Sequence, residues 1–393
     1  MPHTMINSSQ VELHGITWKH TRGLVPMQAT TQRFEELYPN VRISWQTRSL
    51  QSFADEPLDV LAQKYDLLVI DHPSTGIAAK GGILLPLDEI LPSDFLKDQA
   101  ENSVGASHQS YINEGHLWAV AIDAATPVSL CRPELLRQAG GAPRTWEDLL
   151  DLARQGVVAL PGLAIDSLMN FYMLCLALGE APFSVEGQVT AAPVSSEAMR
   201  LLRELLLACG PEWYEANPIK VWNRLAAEDG WAYCPFAYGY SNYSRRGYAD
   251  HIVEAGELIR MNGAPLRSTL GGAGLAISAH CAHRDTATAY AQFVASGQCQ
   301  RTLYFDSGGQ PGHRTAWLDQ EVNRRSNGFF ERTLPVLDRA WLRPRFDGYL
   351  QFQQQASELL HHYLIAGGEE RDVADEMNRM LRQALPTRRG GAA

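Results

Sequence analysis

Hydrophobic and polar positions alternate in short segments along the first third of the chain. Leu13–Trp18 reads as a strand, and Val25–Leu37 carries apolar residues at helical spacing. Val41, Ile43 and Trp45 alternate as a second strand, and Phe53–Lys64 returns to the helical period. Asp66–Ile70 (DLLVI) is a short apolar run, as expected of a strand buried on both faces. This βαβαβ order predicts right-handed crossovers and a parallel sheet.

Further on, Gly115–Ala121 and Val128–Cys131 read as strands. Thr145 stands where a side chain can cap the helix Trp146–Arg154. Helices are predicted over 166–179 and 195–209, and strands over Trp231–Cys234 and Ile252–Glu254. Gly274–Ser278 is the last predicted strand, followed by helices over 285–296, 328–338, 346–366 and 369–385. The small, basic tail Thr387–Ala393 is expected to fray. No Pro/Gly/Ser-rich linker separates consecutive domains. The alternation weakens near Ala121–Thr126 and resumes near Leu270. That pattern predicts two α/β lobes, with the chain passing between them more than once. Lobe 1 is placed at 1–121 plus 268–320, and lobe 2 at 122–267 plus 321–393.

Composition narrows the function classes. The 393 residues include 34 Lys+Arg against 44 Asp+Glu, a formal charge of −10. That balance argues against a nucleic-acid binder, which needs a basic face to displace counterions. No window approaches the roughly 20 apolar residues of a membrane helix, so no membrane insertion is expected. The first fifteen residues lack the basic start and apolar core of an export signal, which by itself points to the cytoplasm. Cysteines stand at 131, 175, 209, 234, 281 and 299, without CxxC spacing, and read as reduced, buried thiols. His280-Cys281-Ala282-His283 lacks the further ligands a zinc site requires, so no metal and no cofactor is expected.

Enzyme signatures are missing. Gly271-Gly272-Ala273-Gly274 does not have dinucleotide-binding spacing, and Gly239-Tyr240-Ser241-Asn242-Tyr243 lacks the final glycine of a nucleophile elbow. Were the chain an enzyme, His20, Asp71 and His72 would be the candidates, with proton transfer assigned to histidine.

In open parallel sheets, ligands sit beyond the carboxyl ends of strands. The residues after the first three strands are Trp18-Lys19-His20-Thr21-Arg22-Gly23, Trp45-Gln46-Thr47-Arg48 and Asp71-His72-Pro73-Ser74. They suggest a binding surface built from Trp18, His20, Arg22, Trp45, Arg48, Asp71 and His72. The basic side chains among them point to a carboxylate- or phosphate-bearing ligand. In the second half, Tyr238 and Tyr240 follow the apolar stretch Trp231–Ala237 and could face a ligand, whereas Tyr233 and Phe236 read as core.

Several stretches resemble the extracellular solute-binding proteins of ABC importers, the family that includes maltose-binding protein. Ile16-Thr17-Trp18 with Tyr38-Pro39-Asn40-Val41 is similar to the family's opening. Tyr65–Asp71 with Gly82–Asp88 resembles its "yDvv … g.l.pLd" segment. Gly115–Ala121, Leu130-Cys131-Arg132 and Leu135–Gly140 resemble its hinge segment. Thr145-Trp146-Glu147-Asp148-Leu149, Leu270–Ser278 and Ser307–Arg314 complete the set, in family order.

The resemblance implies a type II periplasmic-binding-protein fold, in which two α/β lobes joined by a hinge close on a ligand. It implies a carbohydrate by family, an ABC transporter permease as partner, export to the periplasm and a monomer. Gly272 joins the candidate ligand contacts through the "GG.glaIs" segment. Ala273 stands where family sugar binders often carry an aromatic, which weakens the simple sugar assignment. A cytoplasmic ligand-binding sensor that has lost the transporter is the other reading.

Overall fold

The computed structural model describes residues 10–50 and 57–386. In chain order its main elements are β1 (Val11–Trp18), α1 (Thr21–Leu37), β2 (Val41–Arg48), β3 (Leu67–Ile70) and β4 (Val120–Ala125). Next come β5 (Pro127–Cys131), α2 (Ala164–Ala177), α3 (Ala192–Cys209), β6 (Tyr233–Tyr238) and β7 (Glu254–Gly256). The last are β8 (Gly271–Ile277), α4 (Arg284–Ala295), α5 (Tyr349–Ala366) and α6 (Glu370–Ala384). The helix expected over Phe53–Lys64 is described only as Leu58–Ala62, because 51–56 lie outside the described residues. The start of the chain at 1–9 and the tail at 387–393 also lie outside them.

The chain forms two compact units. Unit 1 is Met1–Ala125 with Gly271–Leu334, and unit 2 is Thr126–Leu270 with Pro335–Ala393. The lobes placed at 1–121 plus 268–320 and at 122–267 plus 321–393 put every boundary earlier, the third by the widest margin. That third boundary falls inside the helix Phe329–Asp338, at Pro335. A helix that runs through a boundary leaves no break in hydrophobic pattern to read.

Unit 1 is built on a five-stranded sheet in the order β2-β1-β3-β8-β4. β1 pairs in parallel with β2 and β3, as the βαβαβ reading predicts. β8 runs antiparallel to both β3 and β4, so the sheet is mixed and not wholly parallel. The physical reason is connectivity. β8 enters the sheet from the unit 2 segment and not through a crossover helix, so its direction is not constrained by the crossover rule. All four residues of β3 are buried, in keeping with its central place. α1 buries Met27, Thr30, Thr31 and Phe34, at helical spacing. Its partner is α4, whose Tyr290 hydroxyl lies 2.9 Å from Thr30 Oγ1 and whose ring meets Phe34 edge-on.

Unit 2 has a smaller sheet, β6-β5-β7, with β5 antiparallel to both neighbours. Helices α2, α3, α5 and α6 pack against one another in the same unit. The helix Trp146–Arg154 starts in a capping box. Thr145 Oγ1 accepts from the Asp148 N–H at 3.2 Å, and Asp148 Oδ2 accepts from the Thr145 N–H at 3.1 Å. Five of the six cysteines are buried, Cys131 is half-buried, and all six are free thiols. Among the described residues no helix is long and apolar enough to cross a membrane. No group of three or more His, Cys, Asp or Glu among them is placed to hold a metal ion.

Candidate functional site

The carboxyl ends of β1, β2 and β3 come together in unit 1, as parallel pairing requires. What they carry differs from the sequence expectation. At the end of β1, Trp18 is only 5% exposed and lies under the first turn of α1, against Gly23. A Cβ on Gly23 would stand 2.4 Å from the Trp18 ring, so this residue is a packing contact and not a stacking face. Trp45 belongs to the core side of β2, with Val41 and Ile43. Its ring packs on Gly15, and its indole N–H donates to Thr31 Oγ1 at 2.9 Å. Residues two apart on a strand share a face, so the alternation that identified β2 also directs Trp45 inward.

The basic residues are equally committed. His20 is the N-cap of α1, and its Nδ1 accepts from the Arg22 N–H at 3.0 Å. Burial, helped by the Arg22 charge, lowers the imidazole to about 4. His20 is therefore a neutral ring at physiological pH, with its proton on Nε2. Arg22 is buried and grips Asp123 with both arms of its guanidinium. One bond, from Nε to Oδ2, is 2.8 Å, and the second joins Nη2 to Oδ1. Arg48 closes the end of β2 and donates from Nη2 to the Val69 carbonyl at 3.1 Å. Two of the expected cations are thus accounted for within the fold. Arg22 already has its carboxylate, and His20 carries no charge.

Asp123 was not singled out from the sequence. It sits on β4, 1% exposed, between apolar residues on both sides. Burial raises its carboxyl, and the Arg22 charge and hydrogen bonds pull it back. Gly272 lies directly behind it. Its φ is +117°, and a Cβ there would stand 2.4 Å from the Asp123 carbonyl oxygen. Gly272 is therefore required by the close approach of β8 to β4. Gly272→Ala is expected to destabilise unit 1 by about 2 kcal/mol or more through clash and backbone strain, measurable by urea denaturation. Ala273 is buried in the unit 1 core, so its small side chain removes no stacking face from a binding surface.

At the end of β3, Asp71 caps a short 3-10 turn, accepting from the His72 N–H at 2.8 Å. The His72 ring stands 3.1 Å from the same carboxylate oxygen and is 1% exposed, edge-on to Tyr111. The enclosed ring thus packs into the turn that follows β3.

In unit 2 the loop after β6 is pinned at several points. The Trp222 indole N–H donates to the Tyr238 carbonyl at 2.9 Å, and the Gly239 N–H to the Thr126 carbonyl at 3.1 Å. The Tyr238 hydroxyl lies 3.1 Å from Thr269 Oγ1, and its ring is half-buried. Tyr240 is 5% exposed, more enclosed than the sequence suggests. Tyr233 and Phe236 are core residues, as expected. Asp166, in the first turn of α2, is a second acid that the sequence did not flag. It is 7% exposed, and burial alone pushes its carboxyl up to about 8.

Residues 18–205 match the family of bacterial extracellular solute-binding proteins. Solved structures agree over nearly the whole chain. The maltose-bound MalE3 of T. maritima superposes with a TM-score of 0.83 at 18% identity, covering 95% of this chain and 100% of that one.

The chain has the type II periplasmic-binding-protein fold.

A solute-binding protein of Agrobacterium radiobacter K84, solved with ribitol, shares this fold with a TM-score of 0.82 at 17% identity. It covers 95% of this chain and 99% of that one. A D-mannitol complex from Agrobacterium vitis S4 gives 0.77 at 16% identity, covering 95% and 98%. The two Agrobacterium proteins are named as ABC transporter solute-binding proteins. No curated protein sequence matches the chain. Within the type II fold, the family match runs from the last residue of β1 through β4 and into α3, so it includes Arg22, Asp123 and Asp166.

Proposed function

We propose that the chain is a solute-binding protein for a small, neutral, polyhydroxylated ligand, captured for an ABC transporter permease. One observation carries the choice of ligand class: the buried, internally neutralised Arg22–Asp123 pair beside an uncharged His20. Strand ends whose Arg22 is already paired and whose His20 is uncharged have mainly dipoles and hydrogen-bonding groups to offer a ligand. Hydroxyl groups, each donor and acceptor, suit such a surface. Relatives of the same fold solved with maltose, ribitol and D-mannitol support the class.

A thermal-shift panel tests this. Maltose, ribitol, D-mannitol and α-D-tagatose form the neutral arm, and glucose 6-phosphate and citrate the anionic arm. A true ligand at a hundredfold its Kd adds about 2.7 kcal/mol of stability, so the melting temperature should rise by several degrees. Stabilisation by the anions alone overturns the neutral assignment. Lobe closure, which the family resemblance implies, predicts a smaller radius of gyration in X-ray scattering once the stabilising ligand is added. The transport role further predicts recovery of the native protein from the extracytoplasmic fraction, and purely cytosolic recovery would favour the sensor reading.

A further inference from the structure

A cavity of about 430 Å³ lies in unit 2, between the loop that follows α2, the segment 341–346 and the end of α6. Every residue lining it belongs to that unit. Its apolar wall is built from Phe183, Trp341, Phe346, Leu381 and Leu385. The loop is tied to α6 at two points. Asn378 Oδ1 accepts from the Val189 N–H at 2.7 Å, and Arg382 Nη1 donates to the Gly187 carbonyl at 3.3 Å. The Phe183 N–H donates to the Val189 carbonyl at 2.7 Å, which closes the loop on itself. Phe183 has a φ of +62°. A bulky residue in this left-handed region is strained, and such strain persists only where the surroundings fix it. The half-buried ring lies parallel to Trp341, with centroids 6.3 Å apart, and edge-on to Tyr349 and Phe352. The aromatic wall is therefore set in place by the fold before any ligand arrives.

The charged lining carries two guanidinium groups against one carboxylate, in a chain of net charge −10. Arg343 is buried, and its Nη1 donates to Gln353 Oε1 at 3.1 Å, so a neutral amide holds the side chain in place. Arg345 is half-buried, and burial lowers its guanidinium from the ordinary value. An anion in the cavity offsets that cost. The carboxylate belongs to Glu186, which is exposed. The volume falls within the roughly 300–1,000 Å³ of small-molecule sites, which likewise combine aromatic walls with a few placed polar groups.

We propose that this cavity is a second binding site, for a small aromatic carboxylate. The ring of such a ligand packs against Phe183, Trp341 and Phe346, and its carboxylate is recognised by the guanidinium forks of Arg343 and Arg345. A sugar or polyol offers no charge to those forks. The assignment is therefore separate from the function proposed above and does not rest on it.

Isothermal titration calorimetry of the full chain with phenylacetate, phenylacetamide and acetate tests the assignment. Phenylacetate is expected to bind with a Kd of about 1 mM or below, and the neutral amide and the ringless anion about tenfold more weakly. Arg345→Gln should weaken phenylacetate about tenfold and change phenylacetamide by less than about threefold. Hydrogen exchange should slow at 182–187 and 341–346 when phenylacetate is added. Absence of phenylacetate binding at about 1 mM overturns the proposal. Equal affinity for phenylacetate and phenylacetamide does so too, as does phenylacetate binding that Arg345→Gln leaves unchanged. If Arg345→Gln does not fold, the exchange map of the wild type decides. Protection at 182–187 and 341–346 supports the site, and protection confined to other segments overturns it.

Discussion

Arg22→Ala should destabilise unit 1 by about 3–5 kcal/mol, the range for removing one partner of a buried ion pair. The guanidinium holds Asp123 from two directions, and both side chains are enclosed. Without it the carboxylate is left in a desolvated site and must take up a proton. Asp123→Ala strands the guanidinium in the same way. The two losses should not add. Arg22→Met with Asp123→Leu removes both charges, so the double variant should be less destabilised than the sum by at least about 1 kcal/mol. The low-pH behaviour separates the two singles. Acid protonates the orphaned Asp123 in Arg22→Ala, so part of its loss is recovered as pH falls, whereas Asp123→Ala gains nothing. Hydrogen exchange of β4 amides, compared across the four proteins, reads this out in the unit concerned. Additive losses would mean that the pair is an incidental contact. The pair also fixes the start of α1, so either single variant should cost ligand affinity together with stability.

Much of the architecture was legible from the sequence, because periodicity reports which face of an element is buried. The β1–α1–β2 order and the helices of the last seventy residues follow from spacing alone. The direction of β8 was not legible, since an apolar run of glycine, alanine, leucine and isoleucine reads the same in either orientation. The site was harder. Trp18 and Trp45 were assigned to a surface because they lie near strand ends, yet Trp45 has the same parity as Val41 and Ile43 and packs with them. Strand parity in the sequence carries that information. Arg22 and Asp123 are 101 positions apart, so no local pattern links them. The available signal was negative: a lone carboxylate inside the apolar stretch Val120–Ala125 needs a buried partner, and an arginine in the first turn of a helix is poorly placed for the helix dipole. Asp166 offered the same kind of signal, an acid at the head of the apolar helix α2. The shared lesson is that charged residues in apolar segments were better pointers than the basic residues in loops.

Asp166→Asn should stabilise the protein, and the gain should grow with pH. The sign follows from linkage. An ordinary aspartate in the unfolded chain titrates near 3.9, whereas burial holds the folded carboxyl at about 8. Below about pH 4 both states keep the proton, so Asp166 adds no penalty and the variant should match wild type. As pH rises from 4 towards 8, the unfolded chain releases a proton that the folded chain retains, and wild-type stability falls. Above about 8 both states are ionised and the penalty is complete. The full span corresponds to about 6 kcal/mol. Residual solvent access at 7% exposure relaxes part of it, so a gain of about 2–3 kcal/mol at pH 8.5 is expected. Asparagine has nearly the same shape and no charge to lose, so packing around α2 is preserved. Urea denaturation of both proteins at pH 4.5, 6.5 and 8.5, with hydrogen exchange of α2 to assign the transition to unit 2, gives the comparison. A difference that is flat in pH would place the carboxyl near its ordinary value and its side chain in water. A difference that widens as described would identify Asp166 as a buried carboxyl that costs the fold stability as the pH rises.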